Sequence, residues 1–521
     1  MLDESTKGQV KEYLGRLTKD VTIVLFEGKH ENRKDILEFL ESLKDLSAKL
    51  KIEYSKQVST GVDFEILSEG NSTGIQFYGI PMGHEFTSFI LAILQSGGSP
   101  IKLDQSMLTA ISRIDADLQF ETFVSLDCHN CPEVVQTLNS FALVNSKIQS
   151  RMVDGALYQN LVRERNIQGV PAVYLNGERF LSGKAEASLI FDKLMEKYSN
   201  SLIEQNESQV LSPNDKVIYD VTVVGGGPAG VTSAVYTARK GLKTLVIADR
   251  LGGQVKDTMG IENIISLSYT TGPELTNTLS DQLTRNGIAK RENVRVAKIQ
   301  NDKVKRILLN TGEVIETKTI IISTGAKWRE LNVPGEKDFI GKGVAYCPHC
   351  DGPFFKDKDI AVVGGGNSGV EAALDLSGIV KSVTILEFGE KLNADQVLLD
   401  KIKSSPNIQT ITKAQTTEIN TNSEKVTGIT YKNRESNQNE TIALDGVFVQ
   451  IGLVPNSSFV KEIVQTNKFG EILIDEKCRT NVEGIFACGD VTNTPYKQII
   501  IAMGEGAKAA ISAFEYLLHA A

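Results

Sequence analysis

The chain has 521 residues, with 56 Lys and Arg against 65 Asp and Glu, a net charge of −9. That length exceeds one hydrophobic core and calls for three or four domains. The acidic balance shows no basic stripe and so no nucleic-acid footprint, and no apolar run is long enough to cross a membrane. A polar N-terminus without an apolar signal core gives the expectation of a cytoplasmic protein.

Up to residue 198 the chain reads as two copies of one plan. Residues 21–26 (VTIVLF) predict a strand, followed by a polar turn and an amphipathic helical run at 35–40. The plan returns at 118–124 (LQFETFV), with a Cys-x-x-Cys turn at Cys128 and Cys131 and a helical run at 133–138. The corresponding turn of the first copy, residues 28–32 (GKHEN), has no cysteine and is read as redox-silent. These are tandem thioredoxin-like folds with predicted bounds 1–103 and 104–198. At the start of a helix the free N–H groups stabilise a thiolate, so Cys128 is the expected attacking sulfur and Cys131 its resolving partner. Pro171 precedes a strand, as the dithiol-bordering cis proline of such folds does. The competing reading is two buried, unpaired cysteines.

Residues 199–215 are polar, close on Ser-Pro-Asn-Asp and predict a linker. From 216 a strand–glycine turn–helix pattern appears twice, as expected of doubly wound α/β domains. The first turn is GGGPAG at 225–230. Gly225, Gly227 and Gly230 allow the tight turn, close approach to a pyrophosphate and close helix packing, and Asp249 ends the next strand where an acid would hold a ribose hydroxyl. A glycine-rich turn without a ligand is the alternative, weakened by the strand, helix and acid around it. The second turn is GGGNSG, with Gly364, Gly366 and Gly369, and its acid is Glu387. Glu387 would repel a 2′-phosphate, and no Arg lies in residues 387–391, so NADH is expected over NADPH. The second unit interrupts the first. The expected division is a flavin-type domain at 216–329 and 452–521, and a nicotinamide-nucleotide domain with its own dithiol at 330–451.

That dithiol is Cys347 and Cys350, followed by Asp351. Two Cys-x-x-Cys pairs in an intracellular protein point to redox work or metal binding rather than to structural disulfides. A four-cysteine zinc site would have to join separate domains, and no metal is expected. Cys478 and Cys488 are read as inert packing residues.

These motifs, taken together, resemble end to end the flavoprotein subunit of bacterial alkyl hydroperoxide reductases, the F component, and residues 216–521 alone resemble low-molecular-weight thioredoxin reductases. The resemblance implies FAD contacts at Gly252, Gly253, Gln254, Asn263, Thr324, Gly325, Gly489, Asp490, Gln498 and Ile499, with Asp490 on the ribityl chain. It implies that Cys350 faces the flavin, that Cys347 attacks the next disulfide, and that Asp351 protonates the leaving thiolate. Thioredoxin reductases usually carry Ala-Thr between the cysteines and Arg in the nucleotide loop, where this chain has Pro348, His349 and Glu387; Asp249 stands where Glu is more usual. The resemblance implies that the segment of Glu85 borders the active dithiol, where Glu85 would tune Cys128; a solvated, helix-capping acid is the alternative.

The expected function is an NADH- and FAD-dependent disulfide reductase that sends electrons through both dithiols to a peroxiredoxin, component C of the reductase, as a homodimer. Because the Cys347 pair has to serve both flavin and distant dithiol, the nicotinamide domain is expected to rotate about connections near 330 and 451. A peroxide-forming NADH oxidase and a redox-sensing adaptor are the competing readings. Steady-state kinetics with both nucleotides test the nucleotide preference: kcat/KM is expected to be higher for NADH, and a higher value for NADPH contradicts the role of Glu387.

Overall fold

The computed structural model describes residues 3–165, 167, 169–198, 217–258, 260–340, 342–422 and 425–520. The 199–215 linker lies outside the described residues. The chain divides into two compact units, one of residues 1–216 with 291–295 and 308–314, the other of the remainder.

In the first unit, strands β1 (Val21–Glu27), β2 (Leu50–Val58), β3 (Asp63–Ser68), β4 (Asn71–Tyr78), β5 (Leu118–Val124), β6 (Ile148–Asp154), β7 (Ala172–Leu175) and β8 (Glu178–Ser182) make one sheet, in the order β2-β1-β3-β4-β6-β5-β7-β8. The two copies are therefore fused. Their seam is a parallel ladder from Ile75–Ser150 to Tyr78–Val153 between β4 and β6. Each copy alone would expose an unpaired strand edge there, and the pairing removes it. One apolar cluster runs through both copies, from Val10 to Leu194. At its centre Phe64 stacks on Phe77 (5.3 Å), and both meet Phe89 of the helix Glu85–Ser96 edge-on.

The second unit holds two sheets built around parallel strands. In the first, Ile218–Val224 lies between Thr244–Ala248 and Val314–Ile322, and Ile485–Ala487 returns from the C-terminal segment to pair with Val314–Ile322. Continuous apolar runs such as VTVV and TLVIA suit strands buried on both faces. The second sheet orders Val344–Ala345, Gly446–Val449, Asp359–Val363, Ser382–Leu386 and Ile408–Ile411, all parallel. A three-stranded antiparallel sheet, Ala414–Thr421, Val426–Asn433 and Asn439–Ala443, adjoins it in sequence. The chain enters and leaves this region through a short antiparallel ladder of Ala326–Trp328 with Leu453–Pro455.

Candidate functional site

Both glycine turns have the same geometry, and it separates glycines needed for packing from glycines needed for something else. Gly225 has φ +121°, and a Cβ on it would stand 2.2 Å from the Ser323 carbonyl oxygen; one on Gly230 would stand 2.0 Å from the Gly225 oxygen. In the second turn Gly364 (φ +123°) and Gly369 are closed off in the same way, at 2.3 Å from the Gln450 oxygen and 1.9 Å from the Gly364 oxygen. The middle glycines differ. Gly227 and Gly366 have extended backbones, with φ −77° and −81°, that any residue adopts. A Cβ on Gly366 would meet nothing within 4 Å, and one on Gly227 only the Gly252 oxygen at 3.9 Å. Each is the N-cap of a helix, Pro228–Arg239 or Asn367–Ser377, and neither helix has a side-chain cap. Open space in front of uncapped N–H groups fits a nucleotide pyrophosphate.

Asp249 follows the strand Thr244–Ala248 and is half-buried. Glu387, after Ser382–Leu386, accepts hydrogen bonds from the Gly365 N–H (2.6 Å) and the Gly389 N–H (2.7 Å), one on each oxygen. Two backbone donors fix the carboxylate while leaving each oxygen a lone pair for a ribose hydroxyl.

The remaining flavin-type segments converge in the first sheet's domain. Gly252 (φ +84°) donates its N–H to the Gly226 oxygen (2.9 Å), and a Cβ on Gly253 would lie 3.4 Å from Gly227 Cα, so this loop packs on the first glycine turn. The Gln254 amide bridges the Ala326 oxygen and Trp328 Nε1. Asn263 Nδ2 donates to Gln498 Oε1 (3.2 Å) across 235 positions of sequence. Ile499 opens the C-terminal helix Ile499–Ala520. Asp490 follows Gly489 (φ +76°), and burial raises its carboxyl above the usual range. Thr324 and Gly325 are clasped by Asn456: Thr324 Oγ1 donates to the Asn456 oxygen (2.7 Å), Asn456 Nδ2 to the Thr324 oxygen (2.9 Å), and the Asn456 N–H to the Gly325 oxygen (2.9 Å). Asn456 escapes sequence reading because no motif marks it.

Cys347, disulfide-bonded and partly exposed, is the N-cap residue of the short helix Pro348–Asp351, to which Cys350 and Asp351 belong. Burial raises the Asp351 carboxyl to about 6, opposed by a hydrogen bond from the Cys347 backbone. The Phe354 ring lies against Gly260, beside Tyr269, on the flavin-type domain.

In the first unit Cys128 and Cys131 form a disulfide with Cα atoms 5.5 Å apart. Cys131 is the first residue of the helix Cys131–Val144 and is fully buried, whereas Cys128 precedes the helix and is partly exposed. Cys128 Sγ lies 3.8 Å from the Val170 oxygen, and the Val170–Pro171 peptide is cis. The silent copy reaches this dithiol. The His84 N–H donates to the Leu126 oxygen (2.9 Å), and the His84 and His129 rings are 3.9 Å apart. Glu85 is not a solvated cap: it is 0 % exposed, and neither carboxyl oxygen has a hydrogen-bond partner. Burial raises it to about 7, opposed in part by nearby Ser88. Cys478 and Cys488 are free and fully buried, and burial raises both thiols, Cys478 to about 12, which keeps them inert. Among the described residues no group of three or more His, Cys, Asp and Glu could hold a metal ion, and no helix is long and apolar enough to cross a membrane.

An enzyme built this way moves electrons between a bound nucleotide and a disulfide. Residues 219–506 match the pyridine nucleotide-disulphide oxidoreductase family, and residues 118–196 match a thioredoxin domain. The F subunit of alkyl hydroperoxide reductase from Escherichia coli (strain K12) is 45% identical over 524 residues, spanning 100% of this chain and 99% of that protein. A protein named NADH dehydrogenase in Bacillus subtilis (strain 168) is 45% identical over 519 residues, spanning 100% of both. The solved thioredoxin reductase from Streptococcus pyogenes MGAS5005 is 37% identical with a TM-score of 0.56, covering 58% of this chain and 100% of its own. The chain belongs to the pyridine nucleotide-disulphide oxidoreductase family, within the branch formed by the F subunits of alkyl hydroperoxide reductases.

Asp351 gives this chemistry a pH signature. A carboxyl near 6 is about half protonated at that pH and about one-tenth protonated a unit higher. The role expected from the sequence, acid for a leaving thiolate, would make exchange slow as pH rises through about 6. In single-turnover stopped flow, Asp351→Asn is expected to lower the rate on the order of 10²-fold and to flatten that dependence.

Proposed function

We propose that this enzyme takes electrons from NADH and delivers them, through two dithiols in series, to the disulfide of a peroxiredoxin of the alkyl hydroperoxide reductase C type, supporting peroxide removal. The observation that carries the reading is the coexistence in one chain of two glycine cradles with open middle positions and two separate Cys-x-x-Cys disulfide sites. FAD, held by the first cradle, would supply two-electron transfer between nicotinamide and disulfide.

The residues divide the work as follows. Gly225, Gly227, Gly230 and Asp249 hold the adenosine end of FAD; Gly252, Gly253, Gln254, Asn263, Thr324, Gly325, Gly489, Asp490, Gln498 and Ile499 hold its ribityl and ring end. Gly364, Gly366, Gly369 and Glu387 hold NADH. Cys350 faces the flavin. Once reduced, the Cys347 thiolate attacks the Cys128–Cys131 bond, which breaks as a mixed disulfide forms, and Cys350 then displaces the second pair as a dithiol. Two electrons and two protons thus move outward, with Asp351 as the proton donor to the departing sulfur. Cys128 next attacks the peroxiredoxin disulfide and Cys131 resolves that bond. A tenfold change in each exchange corresponds to roughly 30 mV, so neighbouring couples work best at close potentials.

The domain division that suits this reading is 1–103 and 104–198 for the thioredoxin-like halves, 216–329 with 452–521 for FAD, and 330–451 for NADH. The contact of Phe354 with Gly260 supports a state in which the Cys347 segment faces the flavin, and access of NADH then requires rotation of the 330–451 domain. The working form is a cytoplasmic homodimer.

The Bacillus subtilis relative's name, NADH dehydrogenase, favours a second reading in which electrons leave the flavin for another acceptor. Cys128→Ser separates the two. NADH-driven peroxide removal with an alkyl hydroperoxide reductase C-type peroxiredoxin is expected to fall at least about 10²-fold, with NADH–O₂ activity retained. Undiminished peroxide removal contradicts the relay.

A further inference from the structure

One buried charge in the flavin-type domain has no part in these roles. Glu505 sits in the helix Ile499–Ala520 and is 5% exposed. A carboxylate at that depth is costly unless hydrogen bonds to its charged form offset the lost hydration. Glu505 Oε2 accepts from the Gly489 N–H (2.8 Å), and Oε1 accepts from the Thr494 hydroxyl. Both donors belong to the segment that carries Asp490. Within that segment Thr492 Oγ1 donates to the Gly489 oxygen (2.8 Å), and Lys497 Nζ donates to the Thr492 oxygen (2.5 Å) while pairing with Glu471 (3.1 Å). Glu505 is the bond from this closed segment to the C-terminal helix.

The next residue reaches the other end of the same site. A Cβ on Gly506 would stand 2.2 Å from the Ala229 oxygen, and Ser233 Oγ donates to the Gly506 oxygen (3.0 Å). Ala229 and Ser233 lie on Pro228–Arg239, the helix whose N-terminus forms the first cradle. Gly489 itself approaches so closely that a Cβ on it would come within 2.9 Å of Ala229 Cβ. Successive residues of one helix therefore grip the pyrophosphate helix and the Asp490 turn, fixing the distance between two parts of one elongated ligand site.

We propose that Glu505 is a positioning residue for FAD, which sets the 489–494 segment in register with the first glycine cradle and so presents Asp490 to the ribityl chain. This rests on the assignment of that site to FAD. Glu505 touches no reacting atom. Its charge also lies close enough to push the Asp490 carboxyl further up, against the pull of Lys497.

The test is FAD titration of the full-length apoprotein, with the flavin absorption spectrum of each complex and the melting temperature of each apoprotein. Glu505→Ala removes both bonds and is expected to weaken FAD binding about a hundredfold, with a shifted flavin band; Glu505→Gln keeps an acceptor for Gly489 and should lose about tenfold. Should the alanine variant fail to fold, the glutamine variant carries the test. Wild-type affinity and spectrum in Glu505→Gln and any folded Glu505→Ala, whatever their melting temperatures, overturn the proposal. Failure of the wild-type apoprotein to bind FAD overturns the site assignment instead.

Discussion

The first turn of each nucleotide-type fold can exist only with glycine at its start. Gly225 and Gly364 have φ near +120° and pass so close to the neighbouring carbonyls of Ser323 and Gln450 that a Cβ has no place. That approach turns the following helix end-on toward the space above the strands, with its first N–H groups uncapped. Everything the second unit offers a nucleotide follows: an open middle glycine, a positive helix end, and an acid on the next strand. Those two turns make the long inserted segment a second machine rather than an ornament on the first.

The first unit solves a different problem. Two thioredoxin-like halves share eight strands, and only one half keeps cysteines. The silent half is tied into the active one by the β4–β6 ladder, and it brings His84 against His129, between Cys128 and Cys131 in sequence. Burial raises the Glu85 carboxyl to about 7, so a group about half protonated near neutral pH lies within the fold that carries the outer dithiol. The silent copy therefore supplies surroundings as well as bulk.

Much of this was legible in the sequence because its signals are local. Strand, glycine spacing, helix and acid fall within one short stretch, so both cradles were readable; so were the Cys-x-x-Cys pairs and Pro171. What stayed hidden depends on residues far apart in the chain. Asn456 clasps Thr324 across 132 positions and Glu505 holds Gly489 from a different element 16 positions away, yet neither has a motif of its own. The fused sheet was likewise invisible, since a repeat in sequence says nothing about which edges pair. Glu85 reads from its neighbours as a helix-start acid that belongs in water, and only the packing around it shows that it is buried.

In the proposed relay electrons reach Cys128–Cys131 by way of Cys347. Anaerobic NADH reduction followed by alkylation and mass analysis of the Cys128 and Cys131 thiols tests it most directly, in the wild type and in Cys347→Ser. The expected result is a reduced, alkylated pair in the wild type and an intact Cys128–Cys131 disulfide in the variant. Full reduction of that pair in Cys347→Ser contradicts the order.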